Sequence, residues 1–166
     1  MKEDVNIISE LSTTGIYTLL LFLPKQVTLT IGKLGKQRFP RGYYTYTGSA
    51  LGKGASSLKH RIARHLRKQK PRFWHIDYLL ADENVSVEAV IVAETNENIE
   101  CKTNQYIKTI MGAKVPVKGF GASDCRKNCE SHLLYFPEIE NADFLVQKIV
   151  GHLQSVSGIL SVCVIE

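Results

Sequence analysis

The sequence predicts an α+β domain close to an α/β sandwich: a small antiparallel β-meander sheet flanked by helices, with a C-terminal helix–strand extension. Runs of β-branched, aromatic and aliphatic residues recur at short spacing before Ala50, helical periodicity follows from Leu58, and the last stretch reads helix, then strand. A chain of 166 residues has room for one domain with a sizeable core. With 44% hydrophobic residues, no bilayer-length apolar run and no secretory leader pattern, the expectation is a soluble cytoplasmic protein with no membrane partner. Cys101, Cys125, Cys129 and Cys163 are too irregularly spaced for a disulfide scaffold and read as reduced thiols or metal ligands.

Taken in order, residues 1–13 carry a weakly amphipathic helical pattern (Val5, Ile8, Leu11). Gly15–Leu23 (GIYTLLLFL) reads as a buried strand that stops at Pro24. In Val27–Gly32 the apolar Val27, Leu29 and Ile31 alternate with Thr28 and Thr30, the pattern of a half-buried antiparallel partner, and Tyr43–Ser49 reads as the third strand of the meander. Leu51–Ser57 is a flexible, phosphate-friendly loop; Ser56 or Ser57 caps a helix running to about Lys70, with Leu58, Ile62 and Leu66 inward and Pro71 beyond. Then come the aromatic WHIDYLL segment, a strand Val87–Glu94 and a helix from about Ile99 to Met111. A Gly-rich turn Gly119–Cys125 leads to a short or edge strand in Ser131–Phe136, and a helix Ala142–Val156 to a strand Gly158–Ile165. The core domain spans residues 1–137, and the extension packed on it spans 138–166.

Charge is segregated. Between Leu11 and His75 lie 13 of the 21 Lys and Arg residues and no acid, so this segment is +13 and the remainder −8. A field of that kind concentrates polyanions, and nucleic acid is the usual one.

Within the basic segment, Gly15-Ile16-Tyr17 on the first strand, Tyr46-Thr47-Gly48 on the third and Arg61 on the following helix form an ordered set. Two tyrosines on antiparallel strands and an arginine on the packed helix can converge on one phosphate, the phenol relaying a proton and the guanidinium clamping oxygens. The set resembles the GIY-YIG nuclease superfamily. With YYTYTGSALG, RIARHL, WHIDYLL and GFGASDC…SHL, it is similar to an uncharacterised branch of it, a domain of unknown function sometimes fused to endonuclease III-type glycosylases.

The resemblance implies a metal-dependent endonuclease cutting phosphodiester bonds of DNA or structured nucleic acid, with one Mg²⁺ or Mn²⁺ ion. Carried onto this chain, Tyr46 orients or activates water, Tyr17 positions it, Arg61 clamps the phosphate, His65 shuttles a proton near neutral pH, and Glu100 is the metal carboxylate. Gly48, Ser49, Lys53, Lys59, Arg64, Arg67 and Lys68 are the candidate nucleic-acid contacts. No downstream Asn matches the one that supports the site in many members, and an extra strand separates the two tyrosine motifs.

A second constellation, Cys125-x3-Cys129-x2-His132, has the look of half a Zn²⁺ site that His75 could complete. Alternatively, Asp124 caps a turn beside a buried Cys125, or Ser123, Asp124 and His132, with His75 and Asp77, line the cleft beside the phosphate. Trp74 either stacks on a base or belongs to the core. Two further functions stay open: a catalytically inactive nucleic-acid-binding module using the same cleft beside a repair-enzyme partner, and a zinc-stabilised interaction domain.

Overall fold

A computed structural model describes residues 14–52, 54–156 and 159–165; the helix expected over residues 1–13 and Lys53 lie outside them. The fold is mixed α+β, built on a five-stranded sheet in which every pairing is antiparallel. In chain order the strands are β1 (Gly15–Leu23), β2 (Val27–Thr30), β3 (Lys36–Phe39), β4 (Gly42–Ala50), β5 (Ser86–Glu94), β6 (Leu133–Phe136) and β7 (Ile159–Val164). The α-helices are α1 (Leu58–Leu66), α2 (His75–Leu80), α3 (Glu100–Lys108) and α4 (Ala142–Val156). The sheet order is β6-β4-β1-β5-β7, with β2 and β3 in a separate two-stranded ribbon.

The central position of β1 explains its nearly continuous apolar sequence, because both of its faces are covered. Tyr17, Leu19 and Leu21 enter one core with Tyr46, Leu58, Ile62, Ile76, Leu79 and Phe120. Ile16 and Leu20 enter the other, with Ile107, Leu145, Ile149 and Leu153. Helices α1 and α2 therefore cover one face, and α3 and α4 the other, which makes three layers.

The structure departs from the expected meander. β1 pairs directly with β4, from Gly15↔Ala50 to Leu23↔Gly42, and the alternating Val27–Thr30 segment pairs instead with β3. The alternation was that of a half-buried strand, but Pro24 ends β1 and the ribbon closes on itself at the end of the sheet, sending Val27, Ile31 and Phe39 into the first core. Helix α1 also ends before the expected Lys70. Lys70 Nζ turns back to the carbonyls of Arg64, His65 and Arg67 (2.9, 3.0 and 2.9 Å), satisfying acceptors that helix termination leaves open.

The C-terminal segment runs helix, then strand, as expected. β7 pairs with β5 from Ala89↔Val164 to Glu94↔Ile159 and forms one sheet edge, and β6 forms the other. Among the described residues, no helix is long and apolar enough to cross a membrane. Replacing the fully buried Ile149 with Ala is expected to cost about 2–5 kcal/mol and to lower one urea transition shared by the whole chain. Two separate transitions would show that the extension folds apart from the sheet.

Candidate functional site

The β1–β4 register places Tyr17 opposite Gly48 and Tyr46 opposite Leu19, so both tyrosines project from one face of the sheet. Each ring lies over a glycine. A Cβ on Gly48 would come within 2.5 Å of Tyr17 Oη, and one on Gly121, where φ is +67°, within 2.8 Å of Tyr46 Cε2. Glycine is thus required at both seats. Burial, then the neighbouring Tyr46, raises the Tyr17 phenol far above its ordinary range; burial, then Glu100 and Asp77, does the same to Tyr46. Both are neutral phenols that can donate and accept hydrogen bonds.

Behind Tyr17, its hydroxyl meets His65 Nε2 at 2.7 Å. His65 is only 2% exposed, and burial first, then Lys70, pulls its pKa down to about 3. The expected shuttle that charges near neutral pH is therefore recast: His65 is a neutral hydrogen-bonding partner that sets the Tyr17 hydroxyl.

Tyr17, Tyr46, Gly48, Ser49, Arg61, Phe73, Trp74, His75, Glu100, Gly121, Ser123 and Asp124 line one open cleft of about 470 Å³. Arg61 donates through Nη1 to the Ser49 carbonyl (2.5 Å) and lies 5.4 Å from the centroid of the Trp74 ring. Arg64 packs on the same indole at 4.9 Å. Trp74 is thus an arginine platform at the cleft wall.

Asp77 is not in the cleft. Its Oδ2 accepts the Phe73 and Trp74 amides (2.9 and 2.8 Å) and Arg64 Nη2 (2.8 Å). Burial opposes its charge, but the bonds from Trp74, Arg64 and Phe73 outweigh it and lower the pKa. Arg64 is accordingly committed to Asp77, and Lys68 to the carbonyls of Leu80, Asp82 and Val85 (3.2, 3.1 and 2.5 Å). Both of these expected nucleic-acid contacts are tied into the fold, and Lys59, Arg67 and Lys68 are exposed.

In the first turn of α3, Glu100 reaches the cleft. Its Oε2 accepts the Ser49 hydroxyl (2.6 Å), and its Oε1 lies 2.8 Å from His132 Nδ1. Burial works against its charge, yet the His132 and Ser49 contacts win and the carboxyl pKa falls. The opposing effect on His132 raises its pKa to about 9, burial being overcome by the bond to Glu100 and its charge.

Behind Glu100, ligand atoms of Cys101, Cys125, Cys129 and His132 lie within 4.8 Å of one another and could hold a metal ion. Cys101 Sγ is 3.6 Å from Cys125 Sγ and 3.8 Å from His132 Nε2, close to the roughly 3.8 Å edge of a tetrahedron with metal–sulfur bonds of about 2.3 Å. The fourth member of the cluster is therefore Cys101, not His75 as expected. His75 faces the cleft, its Nδ1 accepting the Gly121 amide (2.9 Å). Burial opposes ionisation of Cys125, but bonds from the Lys127 and Cys129 amides bring its thiol down to about 6.

The sequence reading counted Cys101 among the possible ligands without joining it to the Cys125–His132 cluster, and it did not single out Asn104. Cys101 directly follows Glu100, and a cysteine beside the candidate carboxylate was the available signal. Asn104, one turn further on, is buried and donates to the Ser131 carbonyl (2.7 Å), tying α3 to the His132 segment. An asparagine at i+4 from Glu100 could have been singled out by helical spacing alone.

The sequence profile of the family described as "Domain of unknown function DUF123" matches residues 16–155. The chain belongs to the DUF123 family. The match runs from β1 to α4, beyond the expected limit at residue 137, and takes in the cleft and the thiol cluster. No curated protein and no solved structure gives a match.

Between pH 6.5, the ordinary His value, and about 3, its folded value, the unfolded DUF123 chain binds a proton at His65 that the folded chain refuses. This contribution to stability is therefore complete above pH 6.5 and is lost as pH falls, by about 2 kcal/mol at pH 5. Denaturant titrations at pH 7 and pH 5 should show His65→Gln losing about 2 kcal/mol less than the wild type; equal losses would count against a neutral buried His65.

Proposed function

We propose that this DUF123 protein is a divalent-metal-dependent endonuclease of GIY-YIG type, acting on phosphodiester bonds of DNA or structured nucleic acid. The observation that carries the reading is the convergence of Tyr17, Tyr46, Arg61 and Glu100 on one open cleft. Arg61 clamps the non-bridging oxygens and meets the negative charge that grows as water adds to phosphorus. Tyr46 orients that water through its neutral hydroxyl. Tyr17, held by His65, supports the geometry. The P–O bond to the leaving oxygen breaks as the new one forms, and that oxygen takes up a proton.

The charged Glu100 carboxylate, with Asp124 on the same cleft, is a fitting oxygen-donor set for Mg²⁺ or Mn²⁺. When bound, such an ion stabilises charge on the transferred phosphate and the leaving oxygen. Phe73, 78% exposed at the cleft rim, offers a face on which a base can stack.

The thiol cluster favours a second component in the same protein. Three thiols and one imidazole form a closed, soft set that suits a structural Zn²⁺ ion. Cys101 on α3 and Cys125, Cys129 and His132 would hold it, and such an ion would tie α3 to the Cys125–His132 segment.

Arg61→Ala and Tyr46→Phe are each expected to lower Mn²⁺-dependent cleavage of linear, flapped and branched duplexes by about 10²-fold or more, with circular dichroism unchanged. Wild-type protein that binds this panel and never nicks it would reject the hydrolytic reading in favour of a quiet binding module working beside a repair enzyme. With about three phosphates neutralised, affinity should fall roughly 40-fold between ~50 and ~200 mM salt. Fluorescence anisotropy measures this directly, and salt-independent binding would contradict a phosphate-binding cleft.

A further inference from the structure

His132 touches both candidate sites. Its Nε2 lies within the thiol cluster, 3.8 Å from Cys101 Sγ, while its Nδ1 is 2.8 Å from Glu100 Oε1. From Glu100 the chain of contacts continues through the Ser49 hydroxyl, and from the Ser49 carbonyl to Arg61. We propose that Glu100 is the carboxylate partner of a metal-bound His132, so that Zn²⁺ in the Cys101, Cys125, Cys129 and His132 cluster holds the carboxylate of the cleft in place. This rests on the zinc reading above and makes the metal centre and the cleft one unit.

The chemistry is directional. An imidazole that binds a metal through Nε2 keeps its proton on Nδ1, and a carboxylate accepting that proton fixes the tautomer and the ring plane and makes the imidazole a better ligand. The His132 side chain is 5% exposed and that of Glu100 20%, so water competes poorly for the contact. Glu100 and Cys101 are also consecutive in the first turn of α3. A displacement of the thiolate ligand therefore carries the carboxylate with it. Glu100 is a positioning residue for the metal, and the metal in turn positions Glu100 toward Tyr17, Tyr46 and Arg61.

The test is titration of metal-free full-length protein with Co²⁺, followed by the thiolate-to-cobalt charge-transfer absorption. The wild type should take up one thiolate-bound ion per chain. Glu100→Gln should keep the band and the stoichiometry while binding about 10- to 100-fold more weakly. Glu130→Gln is the control: Glu130 lies next to Cys129 in sequence and pairs with Lys108 on the surface, so it removes the same charge without touching His132, and its affinity should stay within about twofold of wild type.

Glu100→Gln binding Co²⁺ as tightly as wild type, or Glu130→Gln weakening it equally, would overturn the inference and leave the zinc site standing. A wild type that takes up no Co²⁺ would remove the zinc site itself, and this inference with it. Imidazole ¹⁵N shifts of the zinc-loaded wild type give a check that needs no variant. They should report metal on Nε2 and a proton on Nδ1 of His132, and the reverse assignment would overturn the proposal.

Discussion

The register between β1 and β4 is the constraint on which the site depends. Thr18 and Thr47 stand opposite each other in it, both fully buried, with their hydroxyls 3.0 Å apart. A slip by one residue would leave two hydroxyls in the core without each other and turn every side chain of β1 to the other face. Tyr17 would leave its seat over Gly48 and Ile16 would take its place. The helix that supplies Arg61 and His65 and the turn that seats Tyr46 on Gly121 both pack on the tyrosine face. The buried threonine pair thus specifies where the aromatic hydroxyls go without entering the cleft.

Charge works differently here from what a count of basic residues suggests. Lys68 and Lys70 are spent on backbone carbonyls, and Arg64 on Asp77. Arg61 is the cation that the fold delivers to the cleft wall, braced by Trp74 and the Ser49 carbonyl. Glu100 keeps its charge although burial opposes it, because the His132 imidazole and the Ser49 hydroxyl lie against its two oxygens. The −8 remainder of the chain contributes this carboxylate to a cleft built largely on the +13 segment.

The strands and helices were largely legible because their apolar periodicities are strong: GIYTLLLFL reads as a buried strand and ADFLVQKIVGHLQSV as an amphipathic helix. Pairing was not legible. Nothing local in VTLTIG says that its partner is KQRF rather than GIYTLLLFL, since alternation specifies a half-buried face and not a neighbour. The tyrosines, Arg61 and Glu100 could be nominated from residue type and order. The commitments of Arg64, Lys68 and Asp77 could not, because they join residues from α1 to α2 and the turn after it through contacts that depend on helix packing. Cys101 was not joined to the cluster for a similar reason: C-x3-C-x2-H looks self-contained, and the residue that completes the set comes from a helix more than twenty residues earlier.

The β2–β3 ribbon bears on the long separation between the two tyrosine motifs. It leaves β1 after Leu23 and returns at Gly42, and these two residues face each other at the end of the pair. Everything between them is an excursion whose endpoints are already closed by the sheet. Its length can change without altering the distance between Tyr17 and Tyr46, which are set from the opposite end of the same strands. Linear spacing between the motifs is therefore a poor ruler for this architecture. The hairpin end is a natural point of divergence at which members of the fold can acquire new surface while the chemistry-bearing end stays put.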